Sequence, residues 1–132
     1  MTVVSVVIPA FDAERTVGAA ISSVLWQTYG DLEVVVVDDG SGDATGAIAS
    51  SFPEPVRVVR RENGGVAAAR NLGIAEARGE LIAFCDADDV LLPRHLEALV
   101  EVHGRAGGIA TDRKSTRLNS SHPQLSRMPS SA

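Results

Sequence analysis

Three carboxylates, Asp86, Asp88 and Asp89, fall within four positions directly after the apolar run Leu81-Ile82-Ala83-Phe84-Cys85. Carboxylates this close repel one another, and a fold keeps them together only where a cation or a hydrogen-bonding ligand offsets the cost. Mg²⁺ and Mn²⁺ are hard cations that take oxygen ligands, commonly one or two protein carboxylates plus the phosphates of a substrate. An Asp-x-Asp at the carboxyl end of a strand therefore reads as a metal–phosphate site. Acidic turns after strands are common, so the reading depends on what other loops bring. Two more stand out: Pro9-Ala10-Phe11-Asp12 and Asp38-Asp39-Gly40-Ser41-Gly42-Asp43, each following its own apolar run.

The elements that position these loops follow from hydrophobic period. Residues 3–8 are a β-branched run closed by Pro9, the pattern of a strand buried on both faces. Val17, Ala20, Ile21, Val24 and Leu25 share one helical stripe, which predicts a helix over 13–27 with Asp12 as N-cap and Gly30 at its exit. A second strand is expected over 32–37, then a short helix over 44–51 capped by Asp43. Pro53 and Pro55 separate that helix from a third strand at 56–60. Asn63-Gly64-Gly65 opens a helix over 66–77, which Gly79 ends, and a fourth strand covers 81–85. Pro93 is expected at the first position of a last helix, with Leu96, Leu99 and Val100 facing inward. His95, His103, Glu97 and Glu101 read as surface residues of that helix. Alternating strands and helices of these lengths form a parallel sheet with right-handed crossovers and helices on both faces. Ligands of such sheets bind outside the carboxyl ends of the strands. Loops 9–12, 38–43 and 86–89 all follow strands, so they converge on one edge.

Composition narrows the function classes. The 132 residues, 45% hydrophobic, suffice for one domain with a core, and no run approaches a membrane span. The start, Met1-Thr2-Val3-Val4-Ser5, lacks the basic stretch of a signal peptide, so the cytoplasm is the expected compartment. One cysteine, Cys85, excludes an internal disulfide and reads as a small core residue. Residues 1–111 hold 8 arginines, no lysine and 16 acidic groups, a net −8, which argues against a nucleic-acid binder. Residues 112–132 differ abruptly: they carry a net +3, the chain's one lysine, and no helical or strand period. That composition predicts a disordered segment. Asp112 to His122 also resembles a translated sequencing-library adapter, and Ser126-Arg127-Met128-Pro129-Ser130-Ser131 resembles its continuation. The expected organisation is therefore a domain at 1–111, cut near Thr111, and a non-native tail at 112–132.

Several phosphate-binding and hydrolytic patterns are missing. No G-x-G-x-x-G follows the first strand and no G-x-x-x-x-G-K-[ST] occurs, so dinucleotide and P-loop readings fail. No Ser-His-Asp or Cys-His arrangement is legible. What remains resembles a family 2 glycosyltransferase. Val6-Val7-Ile8-Pro9-Ala10-Phe11-Asp12 is similar to that family's opening I-P-x-[YF]-N, with Asp12 in place of the usual Asn. Ser23-Val24-Leu25-Trp26-Gln27-Thr28-Tyr29 resembles its S-V-L-x-Q-T-Y. Val37-Asp38-Asp39-Gly40-Ser41 matches V-D-D-G-S, and residues 63–73 match N-x-G-x-x-x-A-R-N-x-G. Phe84 to Asp89 matches F-x-D-x-D-D.

The resemblance implies a GT-A-like, Rossmann-like fold, incomplete at its carboxyl end, that binds a nucleotide-diphosphate-sugar and a metal. It implies that Asp39 accepts a hydrogen bond from the base and that Pro9 and Phe11 wall it. Asp12, Arg70, Asp86 and Ala87 would also line the nucleotide-sugar site, with Asp86 near the ribose hydroxyls. Asp88 would hold the Mn²⁺ or Mg²⁺ that bridges the diphosphate, with Asp89 behind it. UDP- or dTDP-sugars are the expected donors, and transfer is expected to invert the anomeric centre at an acceptor hydroxyl. The general base that inversion needs is expected beyond Thr111, so no catalytic residue is assigned and the fragment is expected to be inactive. Two other readings stay open: a nucleotide- or metal-binding module without catalysis, and a nucleotidyltransferase, although the Gly-rich basic loop of the latter is missing after the first strand.

Overall fold

Apolar residues crowd four short segments, and each becomes a strand. In the computed structural model, which describes residues 2–105, they are β1 (Val4–Ala10), β2 (Leu32–Asp38), β3 (Val56–Arg60) and β4 (Leu81–Phe84). All pair in parallel, in the order β3-β2-β1-β4. The inner strands are buried on both faces, while β3 at the edge is only partly buried. The intervening helices are α1 (Val17–Leu25), α2 (Thr45–Ser50), α3 (Val66–Glu76) and α4 (His95–Arg105).

Strand order explains how the helices distribute. From β1 the chain steps outward to β2 and β3, then returns past β1 to β4. Right-handed crossovers in opposite directions must use opposite faces of the sheet. One face accordingly packs Val6, Ile8, Val34, Val36 and Ala83 against α1 (Val17, Ala20, Ile21, Val24), α2 (Ala49) and α4 (Leu96, Leu99). The other packs Val7, Val35, Val37, Ile82 and Phe84 against α3 through Ala69 and Ile74. The reversal falls at β1, between β2 and β4, and a crevice opens at such a switch point outside the strand ends.

Two close approaches depend on glycine. A Cβ on Gly73 would lie 2.2 Å from Val7 Cγ1, so α3 seats on β1 only because that position has no side chain. Gly40, at φ +80°, turns the chain after β2, and a Cβ there would meet the Asn63 backbone nitrogen at 2.7 Å. Cys85 is fully buried in the core, as its position after β4 predicts.

Several expectations need correction. Helix α1 begins at Val17, not 13, and Asp12 does not cap it; residues 13–16 form a turn whose Ala13 N–H donates to Thr45 Oγ1 at 2.7 Å. Pro93 lies in the turn before α4, two residues short of the helix. His95 and His103 are buried, not surface, residues, at 7% and 9% exposure. They sit at i and i+8 on the stripe that carries Leu96 and Leu99, and the helical period outweighs their polarity. Glu101 is exposed, and Glu97 is half-exposed in an ion pair with Arg94 at 3.0 Å. Among the described residues no helix is long and apolar enough to cross a membrane. The expected boundary at Thr111 and the tail at 112–132 lie outside the described residues.

Candidate functional site

The acidic segment after β4 forms a turn closed by the Asp89 N–H donating to Asp86 O at 3.0 Å. Beneath it, the Cys85 thiol reaches Asp86 O at 3.5 Å, a weak contact that ties turn to core. The turn brings carboxylate oxygens of Asp86, Asp88 and Asp89 within 4.8 Å of one another. Asp88 is exposed, Asp86 half-buried and Asp89 buried. An all-carboxylate donor set of this compactness fits Mg²⁺ or Mn²⁺ and not a soft metal. On the facing helix α3, Arg70 Nη2 lies 3.3 Å from Asp86 Oδ1, and its guanidinium sits over the Phe84 ring, 5.9 Å from the centroid. The Arg70 side chain stays one-third exposed. This pairing aims a cation at the crevice while offsetting part of the local negative charge.

The loop after β1 is sewn to the loop after β2. Asp12 adopts a left-handed φ of 48°, a conformation that Asp and Asn tolerate better than most residues. Its N–H donates to Ser41 Oγ at 2.9 Å, and its Oδ1 accepts the Gly42 N–H at 2.9 Å. Further along, the Glu14 N–H donates to Asp43 Oδ2 at 3.2 Å, and the Ala44 N–H donates to Glu14 Oε1 at 3.0 Å. Burial in the sheet and these stitches leave Phe11 half-exposed, standing out of an otherwise closed loop.

Asp39 directly follows β2 and is almost fully buried. Its Oδ1 accepts the Gly64 N–H at 3.0 Å, and its Oδ2 accepts the Gly65 N–H at 2.9 Å and the Asn63 amide at 3.4 Å. Arg61 Nε lies 3.2 Å from Oδ1. A carboxylate offers about four acceptor positions, so three hydrogen bonds leave room for one more donor.

These parts enclose two adjoining compartments. One, of about 490 Å³, is lined by Pro9, Phe11, Asp12, Ala13, Thr16, Val66, Arg70, Asp86, Ala87 and Asp88. The other, of about 220 Å³, is lined by Pro9, Ala10, Phe11, Asp39, Asn63, Gly65, Val66 and Ala69. Pro9, Phe11 and Val66 line both and form the wall between them. Every residue expected at the nucleotide-sugar site borders one compartment or the other. Ala10, Ala13, Thr16, Asn63, Gly65, Val66 and Ala69 were not expected there. Asn63-Gly64-Gly65 was legible as a helix opening, but its contact with Asp39, 24 to 26 positions earlier, exists only once β2 and β3 are paired.

The parallel sheet β3-β2-β1-β4 superimposes on solved glycosyltransferases, which makes this a GT-A-type α/β domain. The chain matches Glycosyl transferase family 2 over residues 5–128, and it belongs to that family. Among curated relatives it is 41% identical over 103 residues to the uncharacterized glycosyltransferase alr2836 of Nostoc sp., covering 75% of this chain and 32% of that one. To the succinoglycan biosynthesis protein ExoO of Rhizobium meliloti it is 38% identical, covering 96% of this chain and 39% of that one. Among solved structures, S. aureus TarS 1-349 in complex with UDP-GlcNAc superimposes with a TM-score of 0.73 at 29% identity, over 80% of this chain and 32% of that one. The mannosyltransferase PcManGT of Pyrobaculum calidifontis, in complex with GDP-Man and Mn²⁺, gives 0.65 at 28% identity, over 76% and 32%. The chain spans about a third of the length of the curated relatives it matches.

Proposed function

We propose that residues 1–111 form the donor-binding part of a metal-dependent, inverting glycosyltransferase that passes a sugar from a nucleotide-diphosphate carrier to an acceptor hydroxyl. The observation that carries this reading is the shared wall: a compartment ending in Asp39 adjoins one ending in Asp86 and Asp88, as one nucleotide with its diphosphate requires. In the smaller compartment the base packs between Pro9, Phe11 and Val66, and Asp39 accepts its imide N–H. That edge occurs in uracil and thymine, so UDP- and dTDP-sugars are the donors this reading favours. The TarS complex with UDP-GlcNAc supports a uridine donor, while the PcManGT complex with GDP-Man supports guanine as an alternative with a similar N–H edge.

In the larger compartment Asp86 takes the ribose hydroxyls and Arg70 faces the diphosphate. Asp88, with Asp86 and Asp89 beside it, would hold the divalent ion. That ion supplies Lewis-acid stabilisation of the charge that collects on the departing nucleoside diphosphate. The Mn²⁺ in the PcManGT complex supports this choice of metal. Among the described residues no side chain is assigned as the general base, because Glu97 and Glu101 lie on α4, outside both compartments. The decisive measurement is calorimetric titration of UDP with and without Mn²⁺, for the chain and for Asp88→Ala. Mn²⁺ should tighten UDP at least about tenfold in the parent chain and not in the variant, the scale of one charge-assisted contact. A folded sample that ignores UDP under both conditions overturns the reading.

A further inference from the structure

We infer that Arg61 is a positioning residue for base recognition, acting through Asp39; this rests on the reading of Asp39 as acceptor of the base N–H. Arg61 follows β3 and does not line the base compartment. Its Nε lies 3.2 Å from Asp39 Oδ1, behind the carboxylate, where its side chain is 30% exposed against 4% for Asp39. Among the described residues it is the cation paired with this buried anion. A buried charge keeps a fixed geometry only when it is paired and hydrogen-bonded.

A second observation points to the same side chain. A Cβ built on Gly64 would lie 2.2 Å from Arg61 Nη2 and 3.0 Å from Cζ, so the guanidinium occupies the space that a side chain at Gly64 would need. That same Gly64 supplies an N–H to Asp39 Oδ1 at 3.0 Å. Arg61 is held in turn by donating its Nε–H to Glu62 O at 2.9 Å and its backbone N–H to Asp38 O at 3.0 Å. The guanidinium is thus a wedge with the carboxylate on one side and the glycine turn on the other. Because the Nε–H points to Glu62 O, the ion pair steadies Oδ1 without filling its second acceptor position. That second position is the one this inference gives to the base N–H, since Asp39 lines the base compartment.

The test separates the base half of the ligand from the diphosphate half. Calorimetry on the full chain measures UMP alone, and inorganic pyrophosphate with Mn²⁺, for the parent, Arg61→Gln, Arg61→Lys, Gly64→Ala and Asp39→Asn. Arg61→Gln should weaken UMP about tenfold, the size of one charge-assisted contact, and leave pyrophosphate–Mn²⁺ unchanged. Gly64→Ala, which displaces the guanidinium and keeps the turn's N–H groups, should do the same, and Arg61→Lys should restore part of the loss. Equal losses of UMP and pyrophosphate in Arg61→Gln would mark a merely structural residue and overturn the inference. So would parent-like UMP affinity in Arg61→Gln while Asp39→Asn loses it, an outcome that leaves the Asp39 reading standing. Parent-like affinity in Asp39→Asn, or no UMP binding by the folded parent, removes that reading and this inference together.

Discussion

Asp12 shows how a single exchange can be read from its bonding. The family pattern usually has Asn there, and an Asp accepts hydrogen bonds but donates none. Here the side chain is asked only to accept, from the Gly42 N–H at 2.9 Å, while its backbone sits at φ 48°. Asp12→Asn keeps the accepting oxygen and the tolerance for a left-handed turn, so urea unfolding should shift by less than about 0.5 kcal/mol. Asp12→Ala loses the bond and places an ordinary Cβ residue in a left-handed conformation, which together should cost about 2 kcal/mol. It should also weaken UDP several-fold, because Phe11, next in the chain, loses the loop that aims it. An Asp12→Ala variant with parent-like stability would show that the stitch between the two loops is dispensable. The acidic turn at 86–89 and the Asp-rich loop at 38–43 were legible because each carries its chemistry in its own residue types. Asp39's donors were not, since Asn63, Gly64 and Gly65 meet it only through the sheet.

At the scale of elements, strands were legible and helix edges were not. β3 is found where its β-branched run predicts, paired in parallel with β2. α1 starts at Val17 and not at 13: residues 13–16 stay a turn tied to another element, with the Ala13 N–H donating to Thr45 Oγ1. The buried histidines of α4 were misjudged because polarity was weighed above period. Packing of α3 on β1 supplies a direct test. Gly73→Ala drives a methyl into Val7 Cγ1, and overpacking of this kind costs about 1–3 kcal/mol. The melting temperature should fall, and Val7→Ala in the same chain should recover part of the loss by making space. Additive losses in the double variant would refute the clash. The segment after α1 is tied to the start of α4 by polar contacts. Gln27, itself buried, donates to Leu92 O at 2.6 Å and accepts the Leu96 N–H at 2.9 Å. Gln27→Leu leaves both backbone groups without that partner, so unfolding free energy should drop by about 2 kcal/mol in denaturant titration, a loss that a purely apolar join would not show.

Two groups remote from the crevice contribute to the response of the whole molecule to acid. At the amino ends of the strands, Glu33 accepts the Ser5 hydroxyl at 2.6 Å and the Arg78 N–H at 2.7 Å, with Arg57 at 3.5 Å. Burial pushes the Glu33 carboxyl up, but Ser5, Arg78 and Arg57 together outweigh it and hold the group below its ordinary 4.5. Burial alone lowers the His95 imidazole below its ordinary 6.5. In both cases the unfolded chain takes up a proton before the native one does, so stability falls as pH falls. The imidazole contribution is complete above about pH 6.5 and fades below it; the carboxylate contribution is complete above about pH 4.5 and fades further down. Urea midpoints measured from pH 8 to 3 should therefore decline in two stages. His95→Leu should flatten the upper stage and leave the lower, and Glu33→Gln should shrink the lower, which Asp43 and Glu97 share, and leave the upper, because the two groups lie on separate elements. An upper stage that persists in His95→Leu would transfer the effect to other groups and remove burial of that imidazole as its cause.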